Sequence, residues 1–304
     1  MLLDSASLYF RAFYGVPDSV RAPNGMPVNA VRGFCDMVSN LINRFSPTDL
    51  VACLDYDWRP AWRVELLPSY KAHRVAIPQP AGKPDVENVP DLLEPQVPVL
   101  LKVLEAAGLC AVGADGFEAD DVIATLAHRY DEGGDAVDVV SGDRDLIDLA
   151  TERVRVIYTG KGMSNLVEFS PEVVEAEYGI PPGHYADFAI LRGDPSDGLP
   201  GVPGVGAKTA ALVVSKYGRI EQILEAARAG VLGGAVRSKV LAAADYLAVA
   251  PAVVRGRTDV EIPSLSSAIP ATPADPELLA AVAEAFGLES AVARLTKALA
   301  GVHG

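Results

Sequence analysis

Acidic residues that could bind metal ions together recur along this sequence. The nine candidates are Asp4, Asp55, Glu118, Asp120, Asp121, Asp143, Asp145, Asp194 and Asp197. Like charges about 4 Å apart repel by roughly 4 kcal/mol per pair at an effective dielectric constant of about 20, so such a cluster must hold protons or cations. Carboxylate oxygens without histidine or cysteine favour Mg²⁺ or Mn²⁺. Two such ions about 4 Å apart could clamp the attacking and leaving oxygens of a phosphoryl displacement.

Each acidic segment also has a structural explanation when it is taken alone. The acids of residues 118–121 lie at the predicted start of a helix, where the helix dipole favours negative charge. The segment 194–197 is typical of a turn, and Asp4 and Asp55 could be solvated strand ends. We favour a metal site because Asp4, Asp55 and Asp143 each follow a predicted strand, and open α/β sheets form their sites at the carboxyl ends of strands.

The elements that must position these acids alternate in the first half of the chain. Short apolar runs predict strands at residues 2–3, 51–54, 109–112, 136–140 and 154–158. Helical periodicity predicts helices at 28–45, 95–107 and 119–130. This alternation predicts an α/β fold with a twisted, mainly parallel sheet flanked by helices.

Beyond about residue 169 the pattern predicts helices alone. They span residues 171–178, 183–191, 207–216, 220–228, 235–249 and 277–285, and a loop at 262–276 leads to a final helical hairpin. We therefore predict a catalytic domain at 1–168 and a helical domain at 169–304.

Bulk properties limit the class of protein. The 304-residue chain is 50% hydrophobic, enough for a large core, and its net charge of −14 argues against nucleic-acid binding and for a metabolic enzyme. No apolar run reaches the roughly 18 residues of a membrane span, and the first residues lack the basic start of a signal peptide. The cysteines form no CxxC pair and the histidines show no zinc spacing, so we expect a cytoplasmic protein without zinc.

Several motifs, in order and spacing, resemble those of the 5′-nuclease family, which includes the 5′-nuclease domain of bacterial DNA polymerase I and the flap endonucleases. The resemblance covers residues 2–263. Its motifs are Leu3-Asp4, Phe10-Arg11-Ala12-Phe13, Leu54-Asp55, Trp62-Arg63, Tyr70-Lys71-Ala72-His73-Arg74, Glu118-Ala119-Asp120-Asp121, Ser141-Gly142-Asp143-Arg144-Asp145-Leu146 and residues 193–210.

The resemblance implies a PIN-like catalytic domain in which all nine acids bind metal. It implies a stand-alone 5′-3′ exonuclease and flap endonuclease that hydrolyses DNA at 5′ ends and flaps by two-metal catalysis, in replication and repair, with 5′-phosphate products. The expected partners are DNA with free 5′ ends, flaps or nicks, and RNA–DNA primers, bound by a monomer. Two alternatives stay open: a catalytically weak relative that binds branched DNA, and a metal-dependent phosphatase or nucleotidase.

The segment 69–90 is rich in proline and basic at its start, which predicts an exposed excursion. The resemblance implies an arch at about 69–94 over the active site. Tyr70, Lys71 and Arg74 would then approach the scissile phosphate, with Tyr70 able to stack on an unpaired base. The two cations could stabilise charge in the transition state. The spacing of Lys71, His73 and Arg74 alone favours a solvated loop, and the flanking motifs favour the arch.

The segment 201–210 predicts a helix-hairpin-helix (H3TH) turn that binds DNA through Gly201, Gly204, Gly206, Lys208 and Thr209. Glycines let backbone N–H groups approach a phosphate at the positive end of the following helix. A nucleotide-binding phosphate loop is the competing explanation, but Ala207 separates Gly206 from Lys208 and no strand precedes the turn. The resemblance also implies a monovalent cation, K⁺, at this hairpin.

Two features depart from the family pattern. Gly198 stands where asparagine is common after the second aspartate of the 194–197 segment, which predicts looser hydrogen bonding around the metal ligands. Only three residues precede Asp4, so we expect a short first strand and a natural start of the chain upstream.

Overall fold

The computed structural model describes residues 1–79, 83 and 85–303. Its strands are β1 (Leu2–Asp4), β2 (Val51–Cys53), β3 (Val75–Ile77), β4 (Val86–Glu87), β5 (Cys110–Val112), β6 (Val137–Ser141), β7 (Val154–Tyr158) and β8 (Val167–Phe169). Its helices are α1 (Ser5–Gly15), α2 (Asn29–Phe45), α3 (Ala61–Leu66), α4 (Val97–Ala107), α5 (Ala119–Gly133), α6 (Pro171–Tyr178), α7 (Tyr185–Arg192), α8 (Ala207–Tyr217), α9 (Ile220–Arg228), α10 (Gly234–Ala242), α11 (Ala244–Val254), α12 (Pro276–Phe286) and α13 (Glu289–Gly301).

Six strands form one sheet in the order β5-β2-β1-β6-β7-β8, parallel throughout except for β8, which is antiparallel to β7. This confirms the mainly parallel α/β fold. Because β1 lies between β2 and β6, the segments that follow these three strands leave the sheet side by side. The acids that follow them are therefore brought to one edge.

The sheet separates two apolar cores. Leu2 and Val139 face one core and Leu3 and Val140 face the other, as expected when successive side chains of a strand point to opposite faces. Helix α5 covers the first face, and α2 and α4 contribute to the second. The alternation of side chains along the strands thus buries both faces of the sheet.

The helical part of the chain divides in a way that the sequence did not predict. Helices α7 to α11 pack on one another, whereas α12 packs on α4 and α13 packs on α2. The final hairpin therefore completes the core of the first region, and the predicted boundary at residue 168 falls inside β8. Within the described ranges, no helix is long and apolar enough to cross a membrane.

Several predicted elements need correction. The helix predicted at 235–249 is wrong, because the chain breaks at Ala243 into α10 and α11, and its alanine-rich sequence contains no residue that signals a break. Helices α1 and α3 and strand β8 were not predicted. Helix α1 begins directly at the end of β1, with Asp4 acting both as strand end and as N-cap, and its aromatic-rich sequence has modest helix propensity.

The position of the final hairpin leads to a stability prediction. Leu295 in α13 is 1% exposed, whereas Leu278 in α12 is 38% exposed. We expect Leu295→Ala to lower the free energy of unfolding by about 2–5 kcal/mol, because it leaves a cavity in the core. Urea denaturation followed by circular dichroism would measure this. The control Leu278→Ala should change it little, and equal losses for both variants would contradict the packing of α13.

Candidate active site

The ends of β1 and β6 are joined by hydrogen bonds that fix two of the acids. Asp4 caps α1 by accepting from the backbone N–H of Ser7 at 3.0 Å. Ser141 Oγ, at the end of β6, donates to Asp4 Oδ2 at 2.5 Å and accepts from the backbone N–H of Asp143 at 2.8 Å. A buried serine thus connects Asp4 to the loop that carries Asp143.

The end of β2 and the start of α5 are joined in a similar way. Asp55, just beyond β2, accepts from the backbone N–H of Ala119 at 2.6 Å. Ala119 is the first residue of α5, so this bond places the first turn of α5 beside the end of β2. Glu118 is the N-cap of α5, and Asp120 lies in its first turn.

These connections create one acidic cavity of about 580 Å³ at the carboxyl edge of the sheet. Five of the nine predicted acids line it: Asp4, Asp55, Glu118, Asp120 and Asp143. Asp145, Asp194 and Asp197 are not part of its lining, although the pKa of Asp145 is raised by its burial and then by the charges of Asp143, Asp197, Asp120 and Asp194. The three form a second group beside the cavity.

The pKa values show that the acids repel one another. Burial, with smaller contributions from the charges of Asp55 and Asp143, raises the pKa of Asp4 to about 7, even though the hydrogen bonds from Ser141 and Ser7 lower it. The pKa of Asp120 is raised well above its ordinary value by burial and by the charges of Asp4 and Asp143. Because cations relieve this repulsion, the donor set fits hard divalent ions.

The acids are not arranged as a finished metal site. Within the part of the chain that the structure describes, no group of three or more His, Cys, Asp or Glu side chains converges closely enough to hold an ion. Protein cations instead contact some of the acids: Lys71 and Arg63 bind Glu118, and Arg74 binds Asp197. The chemistry of the cavity therefore fits a divalent cation, and the ion pairs made by Lys71 and Arg74 compete with it.

Asp121 is placed differently from the other acids of its segment. Its carboxylate is 0% exposed and accepts from Arg63 through both oxygens, at 2.7 and 2.9 Å. It also accepts from the backbone N–H groups of Glu118 at 3.2 Å and Arg257 at 2.9 Å. With four donors, Asp121 supports the site from behind and is not open to the cavity.

The base of the predicted arch lies over the acids. Tyr70 donates its hydroxyl to Glu118 Oε1 at 2.8 Å, and Lys71 contacts Glu118 Oε2 through Nζ. Arg74 donates to Asp197 Oδ1 at 3.1 Å and to the carbonyl oxygen of Ser196 at 2.8 Å. Tyr70 is 4% exposed, so the expectation that its ring is free to stack on a base needs correction.

The described part of the predicted arch contains two short paired strands. Strands β3 and β4 are antiparallel, with Val75 opposite Glu87. Residues 80–82 and 84 of the predicted arch lie outside the described residues. Glu87 and Arg11 both line the cavity, although the sequence did not identify either as a site residue. The sequence could have identified Arg11 as a site residue, because it lies in the Phe10–Phe13 motif. Glu87 belongs to no motif that would have identified it.

Gly198 allows the arch to sit close to the loop that carries Asp197. Its φ is +71°, and a Cβ at this position would lie 2.0 Å from the carbonyl oxygen of Ser69. The backbone N–H of Lys71 donates to the carbonyl oxygen of Asp197 at 3.0 Å. The glycine in place of asparagine therefore has a steric reason, because any side chain would push the base of the arch away.

The predicted DNA-binding hairpin is formed at the start of α8. Gly201 and Gly204 have positive φ angles of 68° and 74°, and Gly206 is the N-cap of α8. Lys208 is exposed and Thr209 is half-buried in its first turn. An unpredicted cation lies here as well, because the Lys239 ammonium in α10 donates to the carbonyl oxygen of Gly204 at 2.7 Å.

Taken together, these features define a class. A carboxylate-lined cavity at the carboxyl edge of a parallel sheet, covered by lysine and arginine, is suited to phosphodiester hydrolysis. The hairpin with its glycines and exposed lysine is suited to a phosphate backbone. The class that fold and site define is thus an α/β protein suited to hydrolysing nucleic-acid phosphodiesters.

Comparisons with known proteins identify the family. Residues 1–179 match the family model of the 5′-3′ exonuclease N-terminal resolvase-like domain, and residues 180–277 match that of the 5′-3′ exonuclease C-terminal SAM fold. The chain is 50% identical to a 5′-3′ exonuclease of Mycobacterium tuberculosis, over 100% of this chain and 98% of the relative. It is 51% identical to a 5′-3′ exonuclease of Streptomyces coelicolor, over 98% and 99%. The chain belongs to the 5′-3′ exonuclease family.

A solved structure has the same fold. The flap endonuclease of bacteriophage T5, in a complex with DNA and metal ions, superimposes with a TM-score of 0.64 at 18% sequence identity, over 99% of this chain and 98% of that one. The fold of this chain is therefore that of a 5′-nuclease, as the motifs implied.

The close contact at Gly198 can be tested by restoring the residue that is common in the family. We expect Gly198→Asn to slow single-turnover cleavage of a DNA flap by about 100-fold, because displacement of Ser69 by about 1 Å misplaces Lys71. Asparagine tolerates positive φ, so the clash rather than backbone strain would be responsible. The matched control is Gly179→Asn, at φ +66° with nothing within 4 Å of an added Cβ. Unchanged cleavage by Gly198→Asn would contradict this role.

Proposed function

We propose that this enzyme is a structure-specific 5′-nuclease that hydrolyses DNA phosphodiesters at 5′ ends, flaps and nicks, and that it requires two or more Mg²⁺ or Mn²⁺ ions. The observation that carries the proposal is the single cavity lined by Asp4, Asp55, Glu118, Asp120 and Asp143 together with Lys71 and Arg74. The 5′-3′ exonuclease relatives at about half identity over the whole chain support the same reaction.

The proposed metal ligands belong to two neighbouring groups. The five acids of the cavity would hold one ion, and Asp145, Asp194 and Asp197 would help to hold another. Asp121 would contribute indirectly, by binding Arg63. When bound, the ions supply an activated water and stabilise the charge that develops on the leaving oxygen. Cleavage of the bond between the phosphorus and the leaving 3′-oxygen would leave the phosphate on the 5′ end of the product.

The chain's own cations would act on the phosphate. Burial lowers the pKa of Lys71, but Glu118, Tyr70, Asp197 and Asp120 together raise it more, so that the pKa lies well above its ordinary value and Lys71 stays protonated. Lys71 is therefore suited to stabilise negative charge and not to accept a proton. Arg74, held by Asp197 at the base of the arch, would contribute a second positive charge next to the same phosphate.

Duplex docking would occur through the helical region, which differs in charge from the rest of the chain. Between residues 201 and 240 there are six Lys or Arg and two Asp or Glu, although the whole chain has a net charge of −14. Lys208 and Lys239 flank the hairpin turn. A local positive surface is sufficient to bind a phosphate backbone. We assign catalysis to residues 1–168. We assign duplex binding to the helices that follow, except for α12 and α13, which pack on the first region.

The remaining parts of the proposal concern a monovalent ion, further substrates, the oligomeric state and the cellular role of the enzyme. We propose K⁺ at the hairpin, RNA–DNA primers among the substrates, a monomeric enzyme and a role in DNA replication and repair. The three cysteines are unpaired, which fits a reducing cytoplasm.

One assay tests the proposed function. Flap, nicked and single-stranded DNA with 5′ labels and, separately, mononucleotides would be incubated with the enzyme in Mg²⁺, in Mn²⁺ and in excess chelator. We expect cleavage near 5′ ends and branch points that requires the divalent ion. Binding of branched DNA without cleavage would identify a catalytically weak relative, and hydrolysis of mononucleotides alone would identify a phosphatase. Either result would overturn the proposal.

The metal ligands lead to a prediction with two readouts. We expect Asp120→Asn and Asp143→Asn each to lower cleavage by more than about 100-fold, since the loss of a ligand costs more than the loss of a group behind it. Asp120→Asn should also raise the melting temperature of the metal-free protein at pH 8. The pKa of Asp120 is raised in the fold, so its charged form destabilises the folded state above its ordinary pKa.

The matched control is Asp135→Asn, an exposed acid outside the cavity. It should change neither the cleavage rate nor the melting temperature. Near-wild-type turnover of either Asp120→Asn or Asp143→Asn in Mg²⁺ or Mn²⁺ would show that the metal site is assigned incorrectly.

A second prediction concerns the hairpin. We expect Lys208→Ala to weaken the binding of all duplex substrates about equally and to leave the cleavage position unchanged. Because a phosphate contact releases counterions, the slope of log K against log salt should fall by about 1. Salt-titrated binding in Ca²⁺ would measure it, with Lys297→Ala, exposed on α13, as the control. An unaltered slope for Lys208→Ala would leave the hairpin without a role in DNA binding.

A further inference from the structure

Arg63 lies behind the acidic cavity and joins three parts of the chain. It belongs to α3, which precedes the arch, and its side chain is 3% exposed. Its guanidinium donates to Glu118 at 2.7 Å and to both oxygens of Asp121 at 2.7 and 2.9 Å. Its Nε donates to the carbonyl oxygen of Val253 in α11 at 2.8 Å. One side chain therefore contacts the start of α5 and the end of α11.

The aromatic neighbours of Arg63 hold its guanidinium in place. The guanidinium carbon lies 4.6 Å from the ring centroid of Trp62 and 5.7 Å from that of Tyr70. A buried arginine is tolerated only when its charge is paired and its donors are used. Removing the carboxylate of Glu118 or Asp121, or the guanidinium of Arg63, would therefore leave an unpaired buried group. These side chains consequently have little freedom to shift.

Glu118 has two cations of different kinds. Arg63 is fixed by Asp121, Val253 and two rings, whereas Lys71 belongs to the base of the arch, at a backbone φ of 47°. Lys71 is also the cation that the proposed reaction requires at the scissile phosphate. When Lys71 turns to the phosphate, Glu118 loses one counter-charge and keeps the other.

We propose that Arg63 is a positioning residue that holds Glu118 in the cavity as its permanent counter-charge, so that Lys71 is free to move to the substrate. This inference rests on the proposed function, because it assumes that Glu118 is a metal ligand and that Lys71 contacts DNA. Lysine cannot replace Arg63 fully, since a single ammonium cannot span two carboxylates and a carbonyl as the guanidinium fork does.

The same group of contacts connects the helical region to the metal ligands. The backbone N–H of Arg257, three residues beyond α11, donates to Asp121 Oδ1 at 2.9 Å. Thr125 of α5 donates to the carbonyl oxygen of Arg257 at 2.8 Å. These contacts fix the end of α11 relative to Glu118, and Arg63 contributes to this spacing, which would carry over to duplex DNA bound by the helical region.

The test compares Arg63→Gln and Arg63→Lys with the control Arg155→Gln, which removes a surface ion pair with Asp138 and Glu168. Binding of Mn²⁺ to each protein without DNA would be measured by calorimetry. We expect Arg63→Gln to weaken Mn²⁺ by about 10–100-fold and Arg63→Lys by less. Single-turnover cleavage should fall in parallel, while duplex affinity in Ca²⁺ stays close to that of the wild type.

A double variant separates positioning from a merely structural role. If Arg63 acts through Glu118, the loss of Mn²⁺ affinity in Arg63→Gln/Glu118→Gln should be no greater than in Glu118→Gln alone. Additive losses, or wild-type Mn²⁺ affinity in folded Arg63→Gln, would overturn the inference. If Arg63→Gln does not fold, wild-type Mn²⁺ affinity in Arg63→Lys would overturn it. A wild-type protein that neither binds Mn²⁺ nor cleaves DNA would instead overturn the proposed function.

Discussion

Repulsion among carboxylates at one edge of the sheet is the constraint on which the structure depends. Asp4 and its neighbours can lie together only because other groups offset part of their charge. Ser141 and the N–H of Ser7 donate to Asp4, and Arg63 and Lys71 contact Glu118. The compensation is incomplete, because burial and like charges still raise the pKa of Asp4 to about 7. The fold thus leaves negative charge in the cavity that bound cations can neutralise, as a metal-dependent hydrolase requires.

The order of the strands explains how distant parts of the sequence meet this constraint. Because β1 lies between β2 and β6, the acids that follow three strands far apart in sequence leave the sheet side by side. The acids predicted from strand ends were therefore placed correctly at one edge, and Asp4, Asp55 and Asp143 line the same cavity. Sequence could predict this much, since strand ends and parallel order follow from the apolar pattern.

The roles of individual acids depended on contacts that sequence does not reveal. Asp120 and Asp121 are neighbours with the same side chain, but successive helical residues point about 100° apart. Asp120 faces the cavity, whereas Asp121 faces Arg63, a residue 58 positions earlier. In the same way, no periodic pattern indicated that α13 covers α2 or that Tyr70 is buried. Such features follow from tertiary packing between remote segments.

The arch and the loop of Asp197 show how a single missing side chain can couple two of these segments. Without a Cβ at residue 198, the carbonyl oxygen of Ser69 approaches the loop closely, and the N–H of Lys71 reaches the carbonyl oxygen of Asp197. Arg74 then binds the carboxylate of Asp197 from the same side. Any movement of the arch must therefore change the surroundings of Asp197, and any ion that binds Asp197 must compete with Arg74. If Asp197 binds an ion as proposed, entry of DNA past the arch and binding of that ion would be linked through this loop.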